Sequence, residues 1–176
     1  MASHNHDTLL KVLQGLMTRY KQRVPDVAAI IHAMIRENII SHTDEIENDH
    51  IAFRTIGVAH LGIQSLEKIF LYYGYEKRDF YSFPEKKLDA YWYAPPEPRF
   101  PRIFISELRV SDLSPQVQKI IKSYTNEVTK DPVEDLNLDD AAATSNFLHS
   151  SLWRTPTVAD YKALAKRKRI CRMGYL

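Results

Sequence analysis

Asn48-Asp49-His50-Ile51-Ala52-Phe53-Arg54-Thr55-Ile56-Gly57 is the stretch on which the fold turns. Successive side chains of a β-strand point to opposite faces. Read as a strand, Asp49 to Gly57 puts His50, Ala52 and Arg54 on one face and Ile51, Phe53 and Thr55 on the other. The period then changes. Ile63, Leu66, Ile69 and Phe70 recur at three- and four-residue spacing, and Gly74 follows as a C-terminal cap, so a helix is predicted from Gly62 to Tyr73. Tyr75 to Phe83 and Leu88 to Tyr93 are aromatic-rich runs on either side of Pro84-Glu85-Lys86-Lys87, and they are predicted to form a hairpin. Pro95, Pro96, Pro98 and Pro101 stiffen the loop before a fourth strand, Arg102 to Val110. The order strand, helix, strand, strand, strand builds a curved half-barrel sheet with one helix on its back. Its concave face is expected to be lined from the first and last strands.

Working outward, Leu9, Leu10, Leu13, Leu16, Met17 and Tyr20 predict an amphipathic first helix, with Asp7 as its N-cap. Pro25 suits the first position of a second helix, in which Val27, Ile30, Ile31, Met34 and Ile35 form one apolar stripe and His32 points away. After the module, Ser114-Pro115 opens a helix to about Val128, Lys130 to Ser145 reads as a loop, and Thr157 caps a helix over 157–166. The expected class is α+β, in one domain. It comprises a helical pair (8–45), the β-α-β-β-β module (48–110), trailing helices and loop (114–165) and a basic tail (166–176).

Composition bounds the function. With 176 residues, 44% of them apolar and 26% charged, the chain can bury one core. No apolar run approaches the roughly 20 residues of a membrane helix, and no secretory signal opens the sequence. A single cysteine, Cys171, excludes an internal disulfide and a multi-cysteine zinc site. The expectation is a soluble intracellular protein, in cytoplasm or organelle. Of 24 basic side chains, five (Lys166, Arg167, Lys168, Arg169, Arg172) fall in the last eleven residues, leaving the rest acidic overall. A solvated terminus is the plain reading of that tail, and no nucleic-acid partner is expected.

Dinucleotide, P-loop, zinc-protease and serine-hydrolase signatures are all absent. His50 and Arg54 are the informative pair. Four residues apart on one strand face, they lie roughly 13 Å apart. The imidazole can bind a metal near a ligand's head while the arginine fork grips an anionic group at its far end by two parallel, charge-assisted hydrogen bonds. A solvated polar face is the alternative. Glu107, in the last strand, is a candidate carboxylate ligand, with a salt bridge to Arg109 as the competing explanation. His60 is expected to cap the helix or face solvent, His4 and His6 to be disordered, and His42 and His149 to sit in loops without a role. Tyr91, Trp92 and Tyr93 read as core or pocket wall.

DHIAFRT, with PRIFISEL (101–108) and WRTPTVADYKALA (153–165), resembles the 2-oxoadipate dioxygenase/decarboxylase family, also called 2-hydroxyglutarate synthase, over roughly residues 8 to 165. The resemblance implies a vicinal-oxygen-chelate-like fold and an Fe(II) site of two histidines and one carboxylate. Such a site would take a 2-oxo diacid and dioxygen and yield 2-hydroxyglutarate, a step in lysine breakdown. On it, His50 matches the first histidine ligand and Arg54 the substrate-carboxylate clamp. Relatives continue into a second module that brings the other ligands, so this chain reads as truncated, an N-terminal part. Two alternatives stand beside the enzyme: an inactive fragment that self-associates through uncovered apolar surface and strand edges, or another metal-dependent lyase or isomerase of the same fold.

Overall fold

The structure, a computed structural model, describes residues 2–165. Helices α1 (Ala2–Arg23) and α2 (Pro25–Arg36) open the chain. Next come β1 (His50–Gly57), α3 (Ile63–Tyr72), β2 (Glu76–Phe83), β3 (Leu88–Ala94) and β4 (Arg102–Arg109), the order read from the sequence. Helices α4 (Pro115–Thr125), α5 (Ala141–Phe147) and α6 (Val158–Ala165) follow. The basic tail lies outside the described residues. Among them, no helix is long and apolar enough to cross a membrane.

The sheet runs β1-β4-β3-β2, with β1 parallel to β4 and the other pairs antiparallel. Phe53 pairs with Ile105, which pairs with Tyr91, so these side chains share one face. That face packs on α3 and α1: Phe53, Ile103, Ile105 and Tyr93 meet Leu66, Ile69, Phe70, Leu9, Val12 and Leu13 in the main core. On the opposite face, Ile56, Leu88 and Leu108 are covered at one end by Val117 and Ile121 of α4 and Leu164 of α6. Ala52, Arg54, Phe104 and Trp92 share this second face beyond that cover.

Several local expectations change. The first helix begins at Ala2, well before Asp7, and its buried face starts at Thr8 and Leu9. His6 is not disordered: its ring stands edge-on to Phe100 at 5.9 Å and its Nδ1 lies 2.5 Å from Glu97. The stripe on α2 is only partly covered: Ile31 is buried, Val27, Met34 and Ile35 are half-buried, and Ile30 is 60% exposed. Within the expected 130–145 loop, Ala141–Phe147 is helical, because the Asp140 carboxylate accepts from the backbone N–H groups of Ala142 and Ala143.

The turn into α3 rests on Glu107. Its Oε2 accepts the Ile63 backbone N–H at 2.7 Å, placing negative charge at the helix N-terminus. Gly62 permits this, with φ of 86° and a position where a Cβ would come 2.6 Å from that oxygen. Gly62→Ala is therefore expected to cost about 1–3 kcal/mol, from left-handed backbone strain and displacement of the cap. Urea unfolding of the variant measures it, and an unchanged midpoint would contradict the account.

Candidate functional site

Strand β1 is an edge strand, bonded to β4 on one side only. Its side chains alternate as predicted: Phe53 and Thr55 are buried, while His50, Ala52 and Arg54 are exposed. The core on the α3 side thus forces the His50 and Arg54 side chains outward.

The His50 Nδ1 lies 3.0 Å from Asp49 Oδ2. An ionised carboxylate only accepts, so Nδ1 carries a proton; in the neutral ring Nε2 then keeps its lone pair, the form in which a histidine ligates metal. Asp49 also accepts from Arg102 Nη1 at 3.1 Å. The His50 hydrogen bond, above all, holds the Asp49 carboxyl below its ordinary value; burial opposes it, and the charges of Arg102 and His50 add to the lowering. Among the described residues Arg54 has no ion pair or side-chain hydrogen bond. Its fork is uncommitted.

Both residues line one cleft of about 550 Å³ along the outer edge of β1. Leu16, Met17 and Tyr20 of α1 form one wall, Asn48 and the first half of β1 from His50 to Arg54 the floor, and Leu148 and His149 the far side. A second cleft of about 530 Å³ lies on the open sheet face among Tyr81, Trp92, Phe104, Arg102 and Asp49, and His50 borders this one too. His50 thus borders both clefts, whereas Arg54 lines only the one beside the strand, which is the hollow the two residues share.

Glu107 is not brought to His50. Its partner across the ladder is Thr55, so it stands on the α3 face, on the opposite side of the sheet, where it is spent on capping α3. A metal-ligand role for Glu107 has no geometric basis here. Nor does it pair with Arg109, which instead binds Asp89 at 2.6 Å and Asp112 at 2.7 Å. His60 sits exposed in the left-handed region, φ 64°, and makes no cap. His42 is exposed ahead of a 3-10 turn. Tyr93 is core and Trp92 wall, as read. His149 was missed. It follows α5, the helix absent from the sequence reading, and the signal that could have found it is Asp140 immediately ahead of the alanine run Ala141-Ala142-Ala143. Among the described residues, no group of three or more His, Cys, Asp or Glu side chains is arranged to hold a metal.

Comparison with known proteins bears on this arrangement. The family model for 2-oxoadipate dioxygenase/decarboxylase matches residues 12–172. A chloroplastic 2-oxoadipate dioxygenase/decarboxylase of Arabidopsis thaliana is 38% identical over 168 residues, covering 88% of this chain and 42% of that protein. The crystal structure of the Oryza sativa hydroxyglutarate synthase in complex with 2-oxoadipate superposes with a TM-score of 0.72 at 34% identity, covering 91% of this chain and 51% of that one. A glyoxalase-superfamily protein from Ralstonia eutropha shares the fold, with a TM-score of 0.66 at 18% identity over 90% of this chain and 55% of its own. The chain spans about half the length, or less, of the relatives it matches. The strand order, the DHIAFRT strand and these matches agree: the chain belongs to the 2-oxoadipate dioxygenase/decarboxylase family.

Proposed function

We propose that this chain supplies the His50–Arg54 share of an Fe(II)-dependent site that converts 2-oxoadipate and dioxygen to 2-hydroxyglutarate and carbon dioxide, a step of lysine breakdown. The reaction balances as written, with both atoms of dioxygen retained in the two products. One observation supports the reading most: an imidazole with a free Nε2 and an arginine with no competing acid border the same cleft. Leu16, Met17 and Leu148 offer apolar wall to the methylene chain and exclude water beside it. Arg54 holds a carboxylate through paired charge-assisted hydrogen bonds, and Asp49 fixes the tautomer and aim of His50.

Bound iron would supply the redox chemistry. Of a two-histidine, one-carboxylate set, His50 provides one member and Glu107 none. The others would come from a second module or a second chain. The open edge of β1 and the half-covered stripe of α2, with Ile30 exposed, are surfaces such a neighbour, or self-association, would cover.

Anaerobic calorimetry tests the reading. The intact chain is expected to bind 2-oxoadipate more tightly than 2-oxohexanoate, which lacks the second carboxylate. Ferrous ion should tighten binding further, and His50→Ala should abolish that ferrous effect alone. Equal affinity for the two acids, with no response to ferrous ion, would overturn it.

A further inference from the structure

We propose that His149 is a specificity-determining residue of the same cleft. Its Nε2 accepts a hydrogen bond from the hydroxyl of a bound 2-hydroxy diacid and so favours that ligand over its deoxy analogue. The inference rests on the diacid reading of the cleft and extends it from the charged groups to a neutral one.

The His149 Nδ1 lies 2.7 Å from the Ser145 backbone carbonyl. A carbonyl has no hydrogen to give, so Nδ1 carries a proton, and in the neutral ring Nε2 is then the acceptor. Among the described residues that nitrogen has no partner. The ring borders the cleft that holds His50 and Arg54. Its mounting is built rather than incidental. Leu148, next to it, is 2% exposed and belongs to the main core. Ser145 packs so closely on α1 that a Cβ at Gly15 would come 2.4 Å from its Oγ. The Arg19 guanidinium of α1 also hydrogen-bonds Asn146 of α5. These contacts hold the helix end, and with it the imidazole, over the edge of β1.

The chemistry of the ligands then discriminates. A 2-oxo group accepts hydrogen bonds and donates none, so it offers Nε2 nothing. The hydroxyl of 2-hydroxyglutarate donates, and the oxo acid lacks it. A neutral hydrogen bond of this kind is worth on the order of a fivefold difference in affinity.

The test uses the intact chain, titrated with 2-hydroxyglutarate and with glutarate, and read by calorimetry and by long-range proton–nitrogen spectra of the imidazoles. Free wild-type protein is expected to show His149 as the Nδ1–H tautomer. Adding 2-hydroxyglutarate should move its Nε2 resonance and bind about fivefold tighter than glutarate. His149→Phe should erase that preference, so that 2-hydroxyglutarate and glutarate bind alike, whereas His149→Gln, whose Oε1 still accepts, should keep part of it. An Nε2–H tautomer in the wild type, which needs no variant to fold, overturns the inference, as does a preference that survives His149→Phe. If the wild type binds neither diacid, and Arg54→Ala changes nothing, the diacid reading itself falls. That outcome is distinct from a cleft that binds both diacids equally.

Discussion

Arg54→Ala weakens 2-oxoadipate binding by about ten- to a hundredfold while leaving thermal stability and the ferrous-ion response of the chain unchanged. That is the expected result, and it follows from where the guanidinium sits. The side chain is exposed on the edge strand and makes no ion pair or side-chain hydrogen bond among the described residues, so removing it breaks nothing in the fold. What it removes is a planar pair of donors to a carboxylate, worth about 1.5–3 kcal/mol because the bonds are charge-assisted. Arg54→Lys should recover only part of the loss, since an ammonium keeps the charge but not the fork. Calorimetry against 2-oxoadipate and against its monocarboxylate analogue separates the two effects. A variant that lost metal response and diacid binding in equal measure would contradict the clamp role.

Phe53→Ala should be the most damaging change near the site, at about 3–5 kcal/mol, lowering the melting temperature by on the order of 10 °C. Phe53 lies one residue before Arg54 but faces the other way. It is 6% exposed, and its ring meets that of Phe70 at 5.2 Å, joining β1 to α3. It also forms part of the cleft floor. Truncation leaves a cavity under an edge strand that has a partner on one side only, so the strand loses its alignment together with its packing. The fall in stability is therefore expected to carry diacid binding down with it, whereas Arg54→Ala lowers binding without lowering stability. Thermal unfolding with and without 2-oxoadipate reads both quantities from one sample. A stable variant would mean that β4 alone holds β1 in place.

The contrast between neighbouring positions shows how much of this site was legible in the sequence. The alternation from His50 to Thr55 fixed which side chains face the core, because one face of the sheet is buried and a one-residue slip would expose Phe53. The switch of period after Gly57 marked the helix, and the aromatic runs around Pro84 marked the hairpin. The pairing of β1 with β4 was not legible, since no local period reports which distant strand lies alongside. Glu107 illustrates the consequence. Its place in a strand was right, yet its job was decided by the N-terminus of α3, which lies 44 residues earlier in the chain. His149 illustrates the reverse case. A loop residue by composition, it reaches the cleft because Asp140 starts a short helix and Gly15 lets that helix approach α1.

The sequence by itself determined the element order, the two faces of β1 and the outward aim of His50 and Arg54, because hydrophobic periodicity is a local property that burial enforces. The tertiary structure decided that β1 is an edge strand beside β4, that Glu107 caps a helix on the far side of the sheet, and that His149 joins the other two groups. Those outcomes depend on contacts between residues distant in the chain, whose geometry exists only once the sheet and helices have packed.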